Sequence, residues 1–220
     1  MKHVLRLSMA DFRAEQLAAA DDDDHFSEVL VRTVLEEYTA PGDRVLDPFA
    51  GFGTTLAVSE ALGRVAVGVE LLPERVEIIR GRVGPGSTVL EGDARKLDAL
   101  SLDPFDLCLT SPPYMPREHH PWNPLTGYTT LDAQYDVYLD QLREVFAAVA
   151  RVLRPGGHVA VNAANMRYQD AVTPLAWDMA RVISEVSSLE FRGETYLEWD
   201  DPPAWLQGDY CLVFRKRYDP

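Results

Sequence analysis

Three stretches hold residue types whose spacing could do chemistry together: Asp47 to Thr55 (DPFAGFGTT), the acids Glu70 and Asp93, and Ser111 to Tyr114 (SPPY). Proline fixes φ near about −65° and pushes the residue before it into extended backbone, so Ser111, Pro112 and Pro113 keep little freedom. Pro113 has no N–H to take up the Pro112 carbonyl, which leaves a fixed, outward acceptor close to a serine hydroxyl. Gly51 and Gly53 lie where an apolar run turns into a helix. Glycine there lets the backbone approach a ligand, and the helix start offers free N–H groups. A dinucleotide fingerprint would need a third glycine where Leu56 stands, so close pyrophosphate packing is disfavoured. Glu70 ends the next apolar run and can accept from both hydroxyls of a ribose, and Asp93 ends the run after that and can take an adenine amino group. The set suits adenosine joined to an amino acid better than adenosine joined to phosphates.

DPFAGFGTT resembles the first motif of class I S-adenosylmethionine-dependent methyltransferases, closely that of the amino-methyltransferases acting on DNA. SPPY resembles their S/D/N-PP-Y/F catalytic motif, whose serine form is common among enzymes modifying N4 of cytosine. The resemblance implies S-adenosyl-L-methionine as cofactor and S-adenosyl-L-homocysteine as product. It places Asp47, Phe49, Gly51 and Gly53 around the methionine part, Glu70 at the ribose and Asp93 near the adenine. Pro48, Ala50, Thr54, Thr55, Leu71 and Ala94 complete that cofactor set, and HFSEVL, with Phe26, resembles the N-terminal motif that helps hold the amino-acid end. The implied catalytic residues are Ser111, Pro112, Pro113 and Tyr114. A nucleobase amine is a poor nucleophile because its lone pair is delocalised into the ring. Two acceptors, Ser111 and the Pro112 carbonyl, would hold its nitrogen toward tetrahedral geometry. Tyr114 would stack on the extruded or single-stranded base. Methylation at carbon 5 would need a cysteine where Tyr114 stands, and neither a metal nor a covalent intermediate is required.

Short Val, Leu and Ala runs alternating with helical stretches must position these residues. RVLD, VAVGVEL, STVLEG, FDLCLT and HVAVNAA read as strands buried on both faces. The expected fold is α/β: a doubly wound, mostly parallel seven-stranded sheet with helices on both faces, of Rossmann-like methyltransferase type. FRGETYLEW and DYCLVFRKRY have no helix between them and are expected as an antiparallel edge pair at the C-terminus. Helical spacing covers 10–20, 26–39 and a segment near 173–188. Residues 1–24 are expected as an N-terminal helical segment and an acidic loop at Asp21 to Asp24, and 25–220 as the methyltransferase domain, with no separate target-recognition domain. The likeness runs from about residue 25 to the end and includes YLDQLREVFAAVARVLRPGGHVAV. The loop at 115–128, with Arg117, His119, His120, Trp122 and Tyr128, follows SPPY directly and is expected to read substrate or act as a lid.

A chain of 220 residues with 46% hydrophobic and 25% charged content has the composition of one domain with a full core. Cys108 and Cys211 sit in apolar runs and suit buried thiols in a reducing compartment. No signal or membrane span is readable, so the cytoplasm is the expected location, without membrane association. The net charge of −14 works against phosphate binding. DNA or RNA as substrate therefore requires segregated charge or a partner that supplies the grip, and a small-molecule, peptide or structured-RNA acceptor is the alternative. A cofactor-binding, inactive partner subunit is a further reading, opposed by the presence of both motifs, and a homodimer is compatible with the sequence.

Overall fold

Extended runs of β-branched and aliphatic residues, several of them followed by a turn and a helix, place the described chain in one nine-stranded sheet. The computed structural model describes residues 3–18, 25–117, 122–129, 131 and 134–218. The first part comprises β1 (Val4–Leu7), α1 (Met9–Glu15), α2 (Glu28–Tyr38), β2 (Arg44–Asp47), α3 (Thr54–Ala61) and β3 (Val65–Glu70). It continues through α4 (Pro73–Arg82), β4 (Ser87–Glu91), a 3-10 turn (Ala94–Ala99) and β5 (Phe105–Thr110). After a second 3-10 turn (Pro124–Thr126) come α5 (Tyr135–Val152), β6 (Leu153–Tyr168), β7 (Ala171–Thr173), α6 (Leu175–Ser184), β8 (Leu189–Trp199) and β9 (Leu206–Lys216).

The strand order is β1-β8-β9-β6-β5-β2-β3-β4, with β7 on β6. β2 to β6 run parallel, and β9 is antiparallel to both β6 and β8. From β2 the chain steps outward through β3 and β4, then returns so that β5 pairs the other side of β2. This reversal is the topological switch point, where α/β sheets open a crevice at the carboxyl ends of their strands. One sheet face packs on α5 and α6 through Tyr138, Leu142, Phe146, Met179 and Ile183. The other packs on α2, α3 and α4 through Leu30, Val34, Leu35, Leu56 and Ile79.

The seven expected strands are present, and β1 and β7 extend them. β1 lies parallel to β8, with Val4 opposite Tyr196 and Leu7 opposite Trp199, so the antiparallel pair carries one more strand outside it. Four residues (VLRL) with one charge are too short to announce a strand by periodicity, and pairing to β8 supplies what propensity does not. The helix expected over 10–20 is α1, ending at Glu15. Leu7, Met9 and Phe12 are buried, so the N-terminal segment packs as part of this body. β6 begins at Leu153, one register shift before its regular pairing, and Gly156 at φ +81° makes the LRPGG turn inside that irregularity. Asp21 to Asp24 lie outside the described residues.

Candidate active site

At the switch point the ends of β2, β3, β4 and β5 open into a cleft of about 420 Å³. The glycine turn after β2 and the SPPY loop after β5 form neighbouring parts of its wall, because β2 and β5 are paired neighbours, Leu46 opposite Cys108. Phe26, Asp47, Pro48, Phe49, Ala50, Gly51, Thr54, Thr55, Glu70, Leu71, Asp93 and Ala94 all line this cleft, as do Ser111, Pro112, Pro113 and Tyr114. Gly53 does not line it. At φ +82° it is the left-handed N-cap of α3, and a Cβ there would lie 3.0 Å from Ile79, so its glycine serves the turn rather than the wall.

The acids do more than face the cleft. Glu70 accepts from the Gly51 N–H at 2.8 Å with Oε2 and from the Leu72 N–H at 3.0 Å with Oε1, tying the glycine turn to the end of β3. Burial raises the pKa of its carboxyl, and those two amides pull it back in part. Asp47 is 2% exposed and accepts from the Thr110 hydroxyl at 2.6 Å and the Phe49 N–H at 3.1 Å. Thr110 precedes Ser111, so this bond couples the two motifs directly. Burial lifts the Asp47 pKa to about 6 against those hydrogen bonds. Asp93 differs: Arg95 bonds both of its oxygens, the shortest contact being 2.7 Å, which lowers its pKa despite burial. An adenine amino group at Asp93 would share the carboxylate with that guanidinium. Arg82 braces the turn from outside, its guanidinium 2.9 Å from the Phe52 carbonyl.

At the SPPY loop, Tyr138 on α5 donates to the Pro113 carbonyl at 2.8 Å and pins the loop from below. Among the described residues none donates to the Pro112 carbonyl. The wall continues into an apolar, aromatic half made by Met9, Phe12, Met166, Trp199, Pro203 and Trp205. Trp199, Pro203 and Trp205 come from the strand-end and Pro-rich loop between β8 and β9, and Met9 and Phe12 from α1. The cleft also contains Asn162, Tyr128 and Asp209, of which sequence reasoning singled out only Tyr128. The available signal for the other two was a polar residue inside each of two strongly apolar runs, HVAVNAA and GDYCLVF, because a polar group in a buried strand needs a reason.

The loop residues divide. Arg117 lies off the cleft, its guanidinium 2.8 Å from Asp178 and 5.1 Å above the Tyr135 ring, so it ties the loop to α5 and α6. Trp122 is exposed and off the cleft wall, whereas Pro124, Leu125, Gly127 and Tyr128 reach it. His119 and His120 lie outside the described residues. Cys108 and Cys211 are free and buried. Among the described residues no helix is long and apolar enough to cross a membrane.

Residues 22–81, which hold the glycine turn and Glu70, match a family model described as DNA methylase. The type II methyltransferase M.BsoBI of Geobacillus stearothermophilus is 33% identical over 86 residues, 39% of this chain and 16% of that relative. M.BamHI of Bacillus amyloliquefaciens is 50% identical over 54 residues, 24% of this chain and 12% of its own length. The chain thus spans only a small part of the curated relatives that it matches. Among solved structures, TrmN from Thermus thermophilus superposes with a TM-score of 0.62 at 19% identity, over 87% of this chain and 49% of that one. A TehB-like SAM-dependent methyltransferase from Corynebacterium glutamicum gives 0.58 at 17% identity, over 85% and 87%. The chain therefore resembles the DNA amino-methyltransferases in its cofactor-motif segment and has the Rossmann-like fold of S-adenosylmethionine-dependent methyltransferases over most of its described length.

Proposed function

We propose that this chain is an S-adenosylmethionine-dependent N-methyltransferase acting on an exocyclic amine, with cytosine or adenine in DNA or RNA as the favoured acceptor. The observation that carries this reading is the shared cleft: a glycine turn with two buried acids adjoins a proline-stiffened acceptor pair. The cofactor fits the residues present. A Cβ at Gly51 would meet nothing closer than the Phe49 carbonyl at 3.9 Å, so the turn leaves open space against bare backbone. Glu70 retains lone pairs for ribose hydroxyls beyond its two amide bonds. S-adenosylmethionine, when bound, supplies an electrophilic methyl group on a sulfonium.

The chain's own residues then act by placement. Ser111 and the Pro112 carbonyl accept the two N–H groups of the amine and turn its lone pair toward the cofactor half of the cleft. The proline pair and the Tyr138 bond keep that geometry before substrate arrives, so little ordering is left for the reaction to supply. The aromatic half sandwiches a planar ring and excludes water from it. In this reading residues 25–220 make up the catalytic domain, with the N-terminal segment closing one wall.

Incubation with S-adenosylmethionine labelled in the methyl group, separately with single-stranded DNA, duplex DNA and RNA, tests the reading. Digestion to nucleosides should place the label on an exocyclic amino nitrogen; label on a ring atom or on no nucleic acid would reject it. The exposed acids Asp200 and Asp201 beside the Pro203 to Trp205 wall favour a second reading, a small molecule that carries a positive charge apart from the neutral amine accepting the methyl group. Label entering only small molecules of a cell extract would select that one.

A further inference from the structure

Beyond SPPY the cleft wall meets three polar side chains where β6, β8 and β9 lie side by side: Asn162, Trp199 and Asp209. A carboxylate only 7% exposed is costly unless its lone pairs are taken. Trp199 Nε1 donates to Asp209 Oδ2 at 2.9 Å, and Asn162 Nδ2 and the Tyr210 N–H donate to Oδ1 at 2.7 and 3.0 Å. A carboxylate accepts and never donates, so the amide of Asn162 must turn its NH₂ toward Asp209. Its oxygen is thereby left facing SPPY, where the Tyr114 hydroxyl donates to it at 3.4 Å. The direction of every bond in this row is therefore set from the Asp209 end.

We propose that Asp209 is a positioning residue for the acceptor: by orienting Asn162 it holds Tyr114 of SPPY in the pose that receives the base carrying the amine. This rests on the methyl-transfer reading above. Three features separate it from a purely structural carboxylate. Asp209, Asn162 and Tyr114 all line the cleft. An apolar side chain at 209 would fill a β-strand position at lower desolvation cost. The Tyr114 to Asn162 bond is long for a hydroxyl donor, which leaves it room to tighten when a ring arrives.

Tyrosine labelled with ¹³C at Cζ gives a Tyr114 resonance, identified by its loss in Tyr114→Phe. Asp209→Asn keeps the size but sets an NH₂ among donors, and Asn162→Ala cuts the row outright, so a folding failure of one leaves the other. The Tyr114 resonance should move in both variants. Turnover should fall about tenfold in each, with S-adenosylmethionine affinity changed less than about twofold. The double variant Asp209→Asn/Tyr114→Phe should lose no more than Tyr114→Phe alone, because both changes cut one row. An unmoved Tyr114 resonance overturns the proposal whether or not turnover is measured, and so do multiplying losses in the double variant. A wild-type protein that methylates no amine while the resonance still moves would instead sink the methyl-transfer reading, so the two failures are distinguishable.

Discussion

Ser111 and Asp47 make the sharpest separable demands on the account. Ser111 is assigned to the amine and not to the cofactor, so Ser111→Ala should lower kcat on the order of 10²-fold. Calorimetry should find its S-adenosylmethionine affinity nearly unchanged, and a parallel loss of affinity would contradict the assignment. Asp47 and Asp209 are both buried carboxyls with pKa values lifted to about 6. A folded-state pKa above the unfolded value means that the folded protein binds the extra proton. The stability each group contributes is present below about pH 4 and is lost as pH rises through 6, on the order of 3 kcal/mol apiece. Asp93, held by Arg95, has the opposite sign and loses its contribution as pH falls below the ordinary aspartate range. Urea unfolding should therefore show higher stability near pH 5 than at pH 7.5. Asp47→Asn should cut that difference by about half, Asp209 supplying the rest, while weakening cofactor binding, and an Asn variant with an unchanged pH slope would contradict the burial argument.

The elements work because β3 and the glycine turn are nearly in contact. A Cβ on Gly68 in β3 would lie 2.8 Å from the Ala50 Cβ and 2.9 Å from Leu56, so Gly68→Ala must push the turn off the sheet. It should cost about 1–3 kcal/mol in denaturant unfolding and weaken S-adenosylmethionine binding together with stability, whereas Ser111→Ala should leave both unchanged. Affinity intact at reduced stability would show that the turn is not set by this packing. Periodicity made most of these elements legible: α2, α5 and α6, the buried strands and the C-terminal antiparallel pair all follow from apolar spacing. β1 escaped because four residues carry too little pattern, and its partner β8 lies 192 positions away at Arg6 and Glu198, whose side chains meet at 2.8 Å. Sequence spacing holds no information on such a pairing until the sheet exists.

At the scale of the molecule, charge and shape pull on substrate choice in different directions. The glycine turn and the acids that line the cleft were readable because they fall at successive strand ends. SPPY was readable too, but the aromatic and polar wall beyond it was not, since Phe12, Asn162, Trp199, Trp205 and Asp209 come from distant segments and converge only through the sheet order. A chain with 21 Lys and Arg against 35 Asp and Glu, net charge −14, repels phosphates as a whole. Binding of single-stranded oligonucleotide should thus rest on stacking, with a shallow dependence of log K on log salt, about 1–2 phosphates' worth. Fluorescence anisotropy between low and moderate salt measures it, and a steep slope would show instead that charge is segregated into a basic surface. The most direct test of the whole account is a crystal structure with S-adenosylhomocysteine bound. The account predicts its ribose on Glu70 and its sulfur facing Ser111 and the Pro112 carbonyl across a gap that fits one planar ring. A nucleoside seated elsewhere, or a sulfur turned away from residues 111–114, would contradict it.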